Sequence, residues 1–364
     1  MSFSLGKIFK ITVFGESHGK CVGVVVEGCP AGLKLKEKDI QKEVEKRKPG
    51  SSQIFTQRKE KDKVEILSGV LNGKTTGAPI CLLVWNKDVL SKDYKKINEG
   101  LLRPGHADFT AFLKYGGFAD LRGGGFFSGR MTLALVMAGA IAKKILKEKL
   151  NIEILAHTIE IGGKTARKAK ISEIKRNVYK NEVRCANLKD AKEMKKIIEK
   201  VKKEGDSIGG KIEAICLNLP VGLGEPIFDG LDGEISRALF AIPGVKGVEF
   251  GRGFEVSKIK GSENNDLFFL KNEKVLTKTN NAGGVLGGIS NGMPLILKVA
   301  IKPPSSISKP QLTVNIKKKK MEILKINGRH DPCIVPRAVP VVESVLGLVL
   351  CDFALRAQFI RRIF

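Results

Sequence analysis

The sequence predicts an α+β fold built twice over: an internally duplicated β-α-β-α sandwich of mixed or antiparallel sheets covered by helices. Two ungapped internal matches and a shared order of elements carry that expectation. Gly15 to Leu33, "GESHGKCVGVVVEGCPAGL", aligns with Gly205 to Leu223, "GDSIGGKIEAICLNLPVGL", with six of nineteen positions identical. Gly69 to Lys87, "GVLNGKTTGAPICLLVWNK", aligns with Gly284 to Lys302, "GVLGGISNGMPLILKVAIK", with nine of nineteen identical. Chance is a poor explanation for both.

In each half the order is strand, turn, strand, a helix ending near Pro-Gly (Pro49-Gly50, Pro243-Gly244), glycine turn, strand, basic loop and apolar helix. Valine-rich "CVGVVVEG" and "ICLLVW" read as strands. The closing helices are "MTLALVMAGAIAKKIL" and "AVPVVESVLGLVLCDFAL", each preceded by two arginines eight residues apart: Arg122 and Arg130, then Arg329 and Arg337. The expected organisation is a first half over 1–148 and a second over 205–364, fused into one unit. Between them, 149–204 reads as an insertion with a strand, "IEILAHTIEIGG", and a lysine-rich amphipathic helix, "LKDAKEMKKIIEKVKK".

A chain of 364 residues, 42% hydrophobic, can bury a substantial core. No apolar run reaches the roughly 18–20 residues of a membrane span, and "MSFSLGKIFK" lacks a signal-peptide core, so a soluble cytoplasmic protein is expected. Seven cysteines without CxxC spacing argue against a disulfide framework or a zinc site and read as small buried hydrophobes. The formal net charge of +26 fits nucleic acid, an acidic membrane surface or multiply anionic small molecules, and does not choose among them. Aromatics at 6% offer little base-stacking surface, which weakens the single-strand nucleic-acid reading.

The internal match also filters for chemistry, because residues shared by both halves are scaffold and residues in one copy are candidates. His18 of "FGESHG" faces Ile208, so the turn does not need a histidine. "RPGHAD" brings Arg103, His106 and Asp108 to a loop entering a helix. There Asp108 reads as a first-turn acid favoured by the helix dipole or Arg103 as an anion clamp with His106 as acid or base. "RGGGFFSGR" reads as a phosphate cradle of bare amides at a helix start, or as tight packing of glycines. "KPPSSISKP" is a stiff loop with hydroxyl donors, and "GRHDPCIVPRAVP" puts Arg329, His330, Asp331 and Arg337 on a loop before a buried helix, since Pro332 disfavours helix through Asp331. No GxSxG elbow or HExxH motif occurs, so hydrolase and zinc readings have no support. The residues alone lead to an enzyme or binding protein for phosphorylated anions that uses histidines.

"FGESHG", "RPGHAD", "RGGGFFSGR", "GVKGVEFGRGFE", "NNAGGVLGGISNG", "KPPSSI" and "GRHDPCIVPRAVPVVE", in that order, closely resemble the chorismate synthase family from about residue 5 to 355. The resemblance implies a cytoplasmic, homotetrameric enzyme that converts 5-enolpyruvylshikimate 3-phosphate to chorismate and phosphate with reduced FMN. NADPH or an external flavin reductase would be the reductant. It implies catalytic roles for His18 (proton to the departing phosphate), His106 (protonating or hydrogen-bonding the flavin) and Asp331 (return of the proton). Substrate clamps would be Arg47, Arg103, Arg130 and Arg337. Flavin contacts would come from Phe126, Phe127, Ser128, Pro243, Gly244, Gly287, Lys302, Pro303, Pro304, Ser305, Ser306 and Arg329; no metal is implied. Many members carry a basic or polar residue at Phe126, and some an arginine near Gln53, so those two contacts differ in chemistry here. The rival readings are a flavin reductase or carrier, and a basic nucleic-acid-binding protein whose hallmark would be steep salt dependence.

Overall fold

The computed structural model describes residues 3–48, 61–87, 97, 99–326 and 330–364. The first sheet contains β1 (Ser4–Leu5), β2 (Lys10–Gly15), β3 (Cys21–Glu27), β4 (Glu65–Ile66) and β7 (Ile80–Trp85) in the order β1-β2-β3-β7-β4. The second contains β8 (Glu153–Ile161), β9 (Lys164–Thr165), β10 (Gly210–Leu217), β11 (Val245–Phe250) and β16 (Leu295–Ile301) in the order β11-β16-β10-β8-β9. Every ladder in both sheets is antiparallel, which resolves the mixed-or-antiparallel expectation.

The two sheets repeat one plan. β3 beside β7 corresponds to β10 beside β16, and the hairpin β5 (Val70–Leu71) and β6 (Lys74–Thr75) occupies the same alignment columns as β14 (Val285–Leu286) and β15 (Ile289–Ser290). One boundary changes. The strand expected inside an insertion, β8, pairs with β10 as β2 pairs with β3, so it belongs to the second sheet. Register decides this, because β10 runs antiparallel to β8 along its whole length and β9 pairs with β8 in turn, which leaves α4 (Ile171–Asn177) and α5 (Leu188–Lys203) as the excursion.

The remaining principal helices are α1 (Glu37–Arg47), α2 (Asp108–Lys114), α3 (Thr132–Leu150), α6 (Leu231–Phe240) and α7 (Val335–Arg356). α3 and α7 pack together between the sheets, α3 against β2 and β3 and α7 against β8 and β10, with α1 and α6 alongside. Their approach needs small residues, since a Cβ on Gly139 would lie 2.4 Å from that of Ser344. Strand alternation supplies the facing surfaces: Val22, Val24 and Val26 of β3 and Leu295, Leu297 and Val299 of β16 are buried.

α7 departs from the expected absence of span-length apolar segments. It is 22 residues long and contains an 18-residue stretch of mean hydropathy 2.0, yet that stretch is buried in the protein core. Its internal charges are all accommodated: Asp352 accepts the backbone N–H groups of Lys7, Ile8 and Phe9, and Glu343 accepts those of Ala156 and the Tyr179 hydroxyl. Of the seven cysteines five are buried, while Cys21 and Cys81 are half-buried.

Candidate active site

The loops that leave these elements enclose a cavity of 740 Å³ between the two halves of the sandwich, within the usual range for a small-molecule site. The C-terminal end of α1, the loop before α2, the glycine turn before α3, the ends of α6 and β16, and the loop before α7 all reach it.

Four arginines converge there, and three are held by aspartates. Arg103 is buried and bidentate on Asp108, with Nε 2.7 Å from Oδ2 and Nη2 2.7 Å from Oδ1; its Nη1 reaches Ser306 Oγ at 3.5 Å. Arg130 donates from Nη1 to Asp62 at 2.7 Å and from Nε to Asn86 Oδ1 at 3.0 Å. Arg337, in the first turn of α7, is paired with Asp331. Arg47 has no carboxylate partner among the described residues: Nε donates to Thr132 Oγ1 and Nη2 to the Gly129 carbonyl, each at 2.9 Å. Burial, then the neighbouring Arg337, pulls its pKa down to about 9. Arg337 Nε also donates to the Arg47 carbonyl at 3.3 Å, fixing the end of α1.

The triple-glycine turn is shaped by two histidines. A Cβ on Gly123, at φ +58°, would stand 2.5 Å from His18 Cδ2; one on Gly124, at φ +86°, would stand 3.3 Å from His106 Cε1 and Nε2. His18 is largely buried, packed on the lining residue Gly123 and next to the lining residue Ser17, whereas His106 is on the wall with Nδ1 2.7 Å from Asp108 Oδ1. Burial above all, with Arg103 and Lys302 nearby, holds His106 below the ordinary histidine pKa despite its Asp108 bond. Burial opposes the charged form of Asp108, but the bonds from Arg103 and His106 outweigh it and keep that carboxylate far below its ordinary range.

The cavity wall also combines apolar and phosphate-compatible groups. Phe126 and Phe127 lie with centroids 4.5 Å apart and ring planes tilted by 36°, and Phe126 meets Tyr115 edge-on at 5.4 Å. Lys302 Nζ donates to Ser305 Oγ at 2.7 Å and to the Gly105 carbonyl at 2.5 Å, and its pKa is lowered by burial and then by Lys246. Ser128, Pro243, Gly244, Pro303, Pro304, Ser306, His330 and Asp331 complete the surface. Gly287 stands apart: it turns the β14–β15 hairpin at φ +60° and does not line the cavity. Arg329, Gln53 and Pro49-Gly50 lie outside the described residues.

Two residues that hold the site escaped the sequence reading. Asp62 carried no signal of its own. Asn86 did: it aligns with Ile301 in the second half, so it is polar in one copy only, and its Nδ2 donates to the Glu16 and Gly19 carbonyls while its Oδ1 accepts from Arg130.

Comparison with known proteins gives a consistent result over the full length. The family model described as chorismate synthase matches residues 9–355. A protein of Dehalococcoides mccartyi named chorismate synthase is 54% identical over 363 residues, covering 100% of this chain and 99% of that one. One of Korarchaeum cryptofilum with the same name is 51% identical over 353 residues, covering 97% of each. A solved structure titled "Crystal Structure of Chorismate Synthase" superposes with a TM-score of 0.76 at 33% identity, covering 97% of this chain and 93% of that one. Since the matched span runs from the strand before "FGESHG" to the end of α7, every wall of the cavity lies within it, and the chain belongs to the chorismate synthase family.

Proposed function

We propose that the protein is an enzyme that converts 5-enolpyruvylshikimate 3-phosphate to chorismate and inorganic phosphate by 1,4-anti elimination, with reduced FMN as a required cofactor and no net redox change. The observation that carries this reading is the convergence of Arg47, Arg103, Arg130, Arg337 and Lys302 on one cavity that Phe126 and Phe127 also line. A substrate with a phosphate and two carboxylates, next to a flavin phosphate, needs such a concentration of cations.

The residues fit the flavin. Lys302, Ser305 and Ser306 offer a cation and two hydroxyls for its phosphate, and Phe126 and Phe127, with Pro243 and Gly244, offer a border for its ring. When bound, reduced FMN supplies electron density while the phosphate leaves. The arginines hold the anionic groups so that the allylic C–O bond and the ring C–H bond lie on opposite faces. As the C–O bond breaks, phosphate departs with its electron pair, and His18 gives it a proton. Asp331, oriented by Arg337, assists removal of the ring hydrogen, and the electrons of that C–H bond form the new double bond.

The protein is read as cytoplasmic and homotetrameric. The first point follows from the proposed activity alone, and the apolar outer face of the hairpin β17 (Gln311–Asn315) and β18 (Lys320–Leu324), with Leu312, Val314, Met321 and Ile323 exposed, supports association. The test is an anaerobic assay with 5-enolpyruvylshikimate 3-phosphate and chemically reduced FMN, following chorismate absorbance and phosphate release. Stoichiometric products are expected. Turnover with NADPH and oxidised FMN would identify NADPH as the reductant, and its absence would assign that step to an external reductase. Tight FMN binding without product would overturn the elimination in favour of a flavin carrier.

A further inference from the structure

Asp108 is completely buried and accepts four hydrogen bonds, one from each of four different atoms. Oδ1 is 2.7 Å from His106 Nδ1 and 2.7 Å from Arg103 Nη2; Oδ2 is 2.7 Å from Arg103 Nε and 3.0 Å from the Arg103 backbone nitrogen. An ionised carboxylate can only accept, so a nitrogen 2.7 Å away must carry the proton. The other edge of the ring is different. Among the described residues no protein group bonds His106 Nε2, the ring lies on the cavity wall, and the bare backbone of Gly124 leaves that edge open, since even a methyl there would lie 3.3 Å from it.

We propose that Asp108 is a positioning residue that fixes the tautomer of His106, keeping a proton on Nδ1 and presenting Nε2 to the cavity as a hydrogen-bond acceptor for a ligand N–H or O–H group. The role assigned to that ligand rests on the elimination reading; the tautomer does not. His106 at rest is therefore an acceptor that becomes a donor only after it takes up a proton at Nε2. This orders its two suggested duties, because hydrogen bonding by the neutral ring precedes any proton delivery. The same carboxylate occupies three of the Arg103 donors, leaving Nη1 toward Ser306 and the cavity. One buried anion thus sets the direction of both an acid-base group and an anion-binding group. The charged groups that face His106 are Asp108, Arg103 and Lys302, two cations against one anion, which favours the neutral ring.

The chain has four histidines, so nitrogen NMR of the full-length protein labelled with 15N-histidine can resolve each ring, with His106→Gln assigning the signal. At pH 7.5 His106 is expected as a single neutral form with protonated Nδ1 and bare Nε2. An Nε2–H form, or a fast mixture of both tautomers, would overturn the proposal. In Asp108→Asn the bias should vanish, with Nε2–H appearing and turnover falling about 10–100-fold. A folded Asp108→Asn protein with unchanged tautomer would overturn the assignment to Asp108. Should that variant fail to fold, the unmodified protein still decides. Failure to form chorismate would sink the elimination reading while leaving the tautomer measurement untouched.

Discussion

Gly123→Ala tests whether the glycine turn seats His18. The residue stands at φ +58°, and a Cβ there would lie 2.5 Å from His18 Cδ2, 2.6 Å from Nε2 and 2.8 Å from Ser17 Oγ. Carbon atoms prefer separations of roughly 3.5–4 Å, so the methyl must displace its neighbours by about 1 Å. The left-handed backbone adds about 1–2 kcal/mol for any residue with a Cβ. His18 has little room to retreat, because it is buried and Asn86 pins the Glu16 and Gly19 carbonyls on either side of it. A misplacement of about 1 Å at a reacting group costs on the order of 100-fold in rate, or about 2.7 kcal/mol of transition-state stabilisation. The assay is phosphate release under anaerobic conditions, with thermal unfolding measured in parallel. Gly233→Ala in α6 is the control: its methyl would meet nothing within 4 Å, and it should leave turnover unchanged while adding up to about 1 kcal/mol of stability. Gly123→Ala turning over within about threefold of the unmodified protein, with the same melting temperature, would refute both the packing argument and the role given to His18.

The remaining predictions concern charge. Arg47 titrates near 9 in the folded chain and far higher when unfolded, so between those values the unfolded state binds more protons and this group makes folding more favourable as pH rises. Its buried cation therefore costs stability at neutral pH: Arg47→Met should stabilise the ligand-free protein by up to about 4 kcal/mol in urea titrations while abolishing substrate binding. In the unmodified protein, substrate affinity should fall as pH rises through about 9, and that alkaline limb should be absent wherever Arg47 is not the anion anchor. Asp331→Asn releases Arg337 from its ion pair; the variant should fold and bind FMN, as read by flavin fluorescence, yet lose most turnover, and near-normal activity would remove Asp331 from the mechanism. Glu343→Gln weakens a buried network in which Glu343 accepts from Tyr179 at 2.8 Å and Lys143 at 3.5 Å; because Lys143 keeps Glu43 at 2.5 Å, the loss should be about 3 kcal/mol in chemical denaturation, with little change in substrate affinity.

The duplicated plan was legible because turn chemistry and strand alternation are local. The glycines that demand left-handed backbone recur in both copies, so β5 and β6 fall in register with β14 and β15 without a gap. β8 was not legible as a partner of β10, because its counterpart β2 shares no sequence with it and the pairing is decided by hydrogen-bond register across the sheet. The same division holds at the site. His18 and His106 are visible as unusual residues in short motifs, but the partners that give them direction come from elsewhere. The one-copy filter that singled out His18 also applied to Asn86, which aligns with Ile301. Asp108 was legible as a first-turn acid, and the helix-dipole account of it was incomplete: its carboxylate turns back to Arg103 and His106. Asp62 holds Arg130 through a contact spanning 68 residues of sequence, which no local pattern encodes.

Three aspartates on an anion-binding cavity look counterproductive until the cations are counted with them. Arg47, Arg103, Arg130, Arg337, Lys246 and Lys302 line the wall with Asp62 and Asp331, and Asp108 lies buried behind Arg103 and His106. Unpaired, these six cations, of which Arg47, Arg103 and Arg130 are buried, would repel one another and swing away from the cavity. Each aspartate instead fixes one guanidinium and leaves the surplus concentrated where no carboxylate lies, at Arg47 and the lysines. Six cations against three anions leave a local surplus of three positive charges, a small part of the chain's +26. The global charge is therefore a poor guide to this site: exposed lysines are screened within about 10 Å at ordinary ionic strength, while the enclosed surplus acts at contact distance. If that is how the cavity works, raising salt should slow substrate capture far more than it weakens the bound complex, because the long-range field belongs to the surface and the grip belongs to the paired arginines and Arg47.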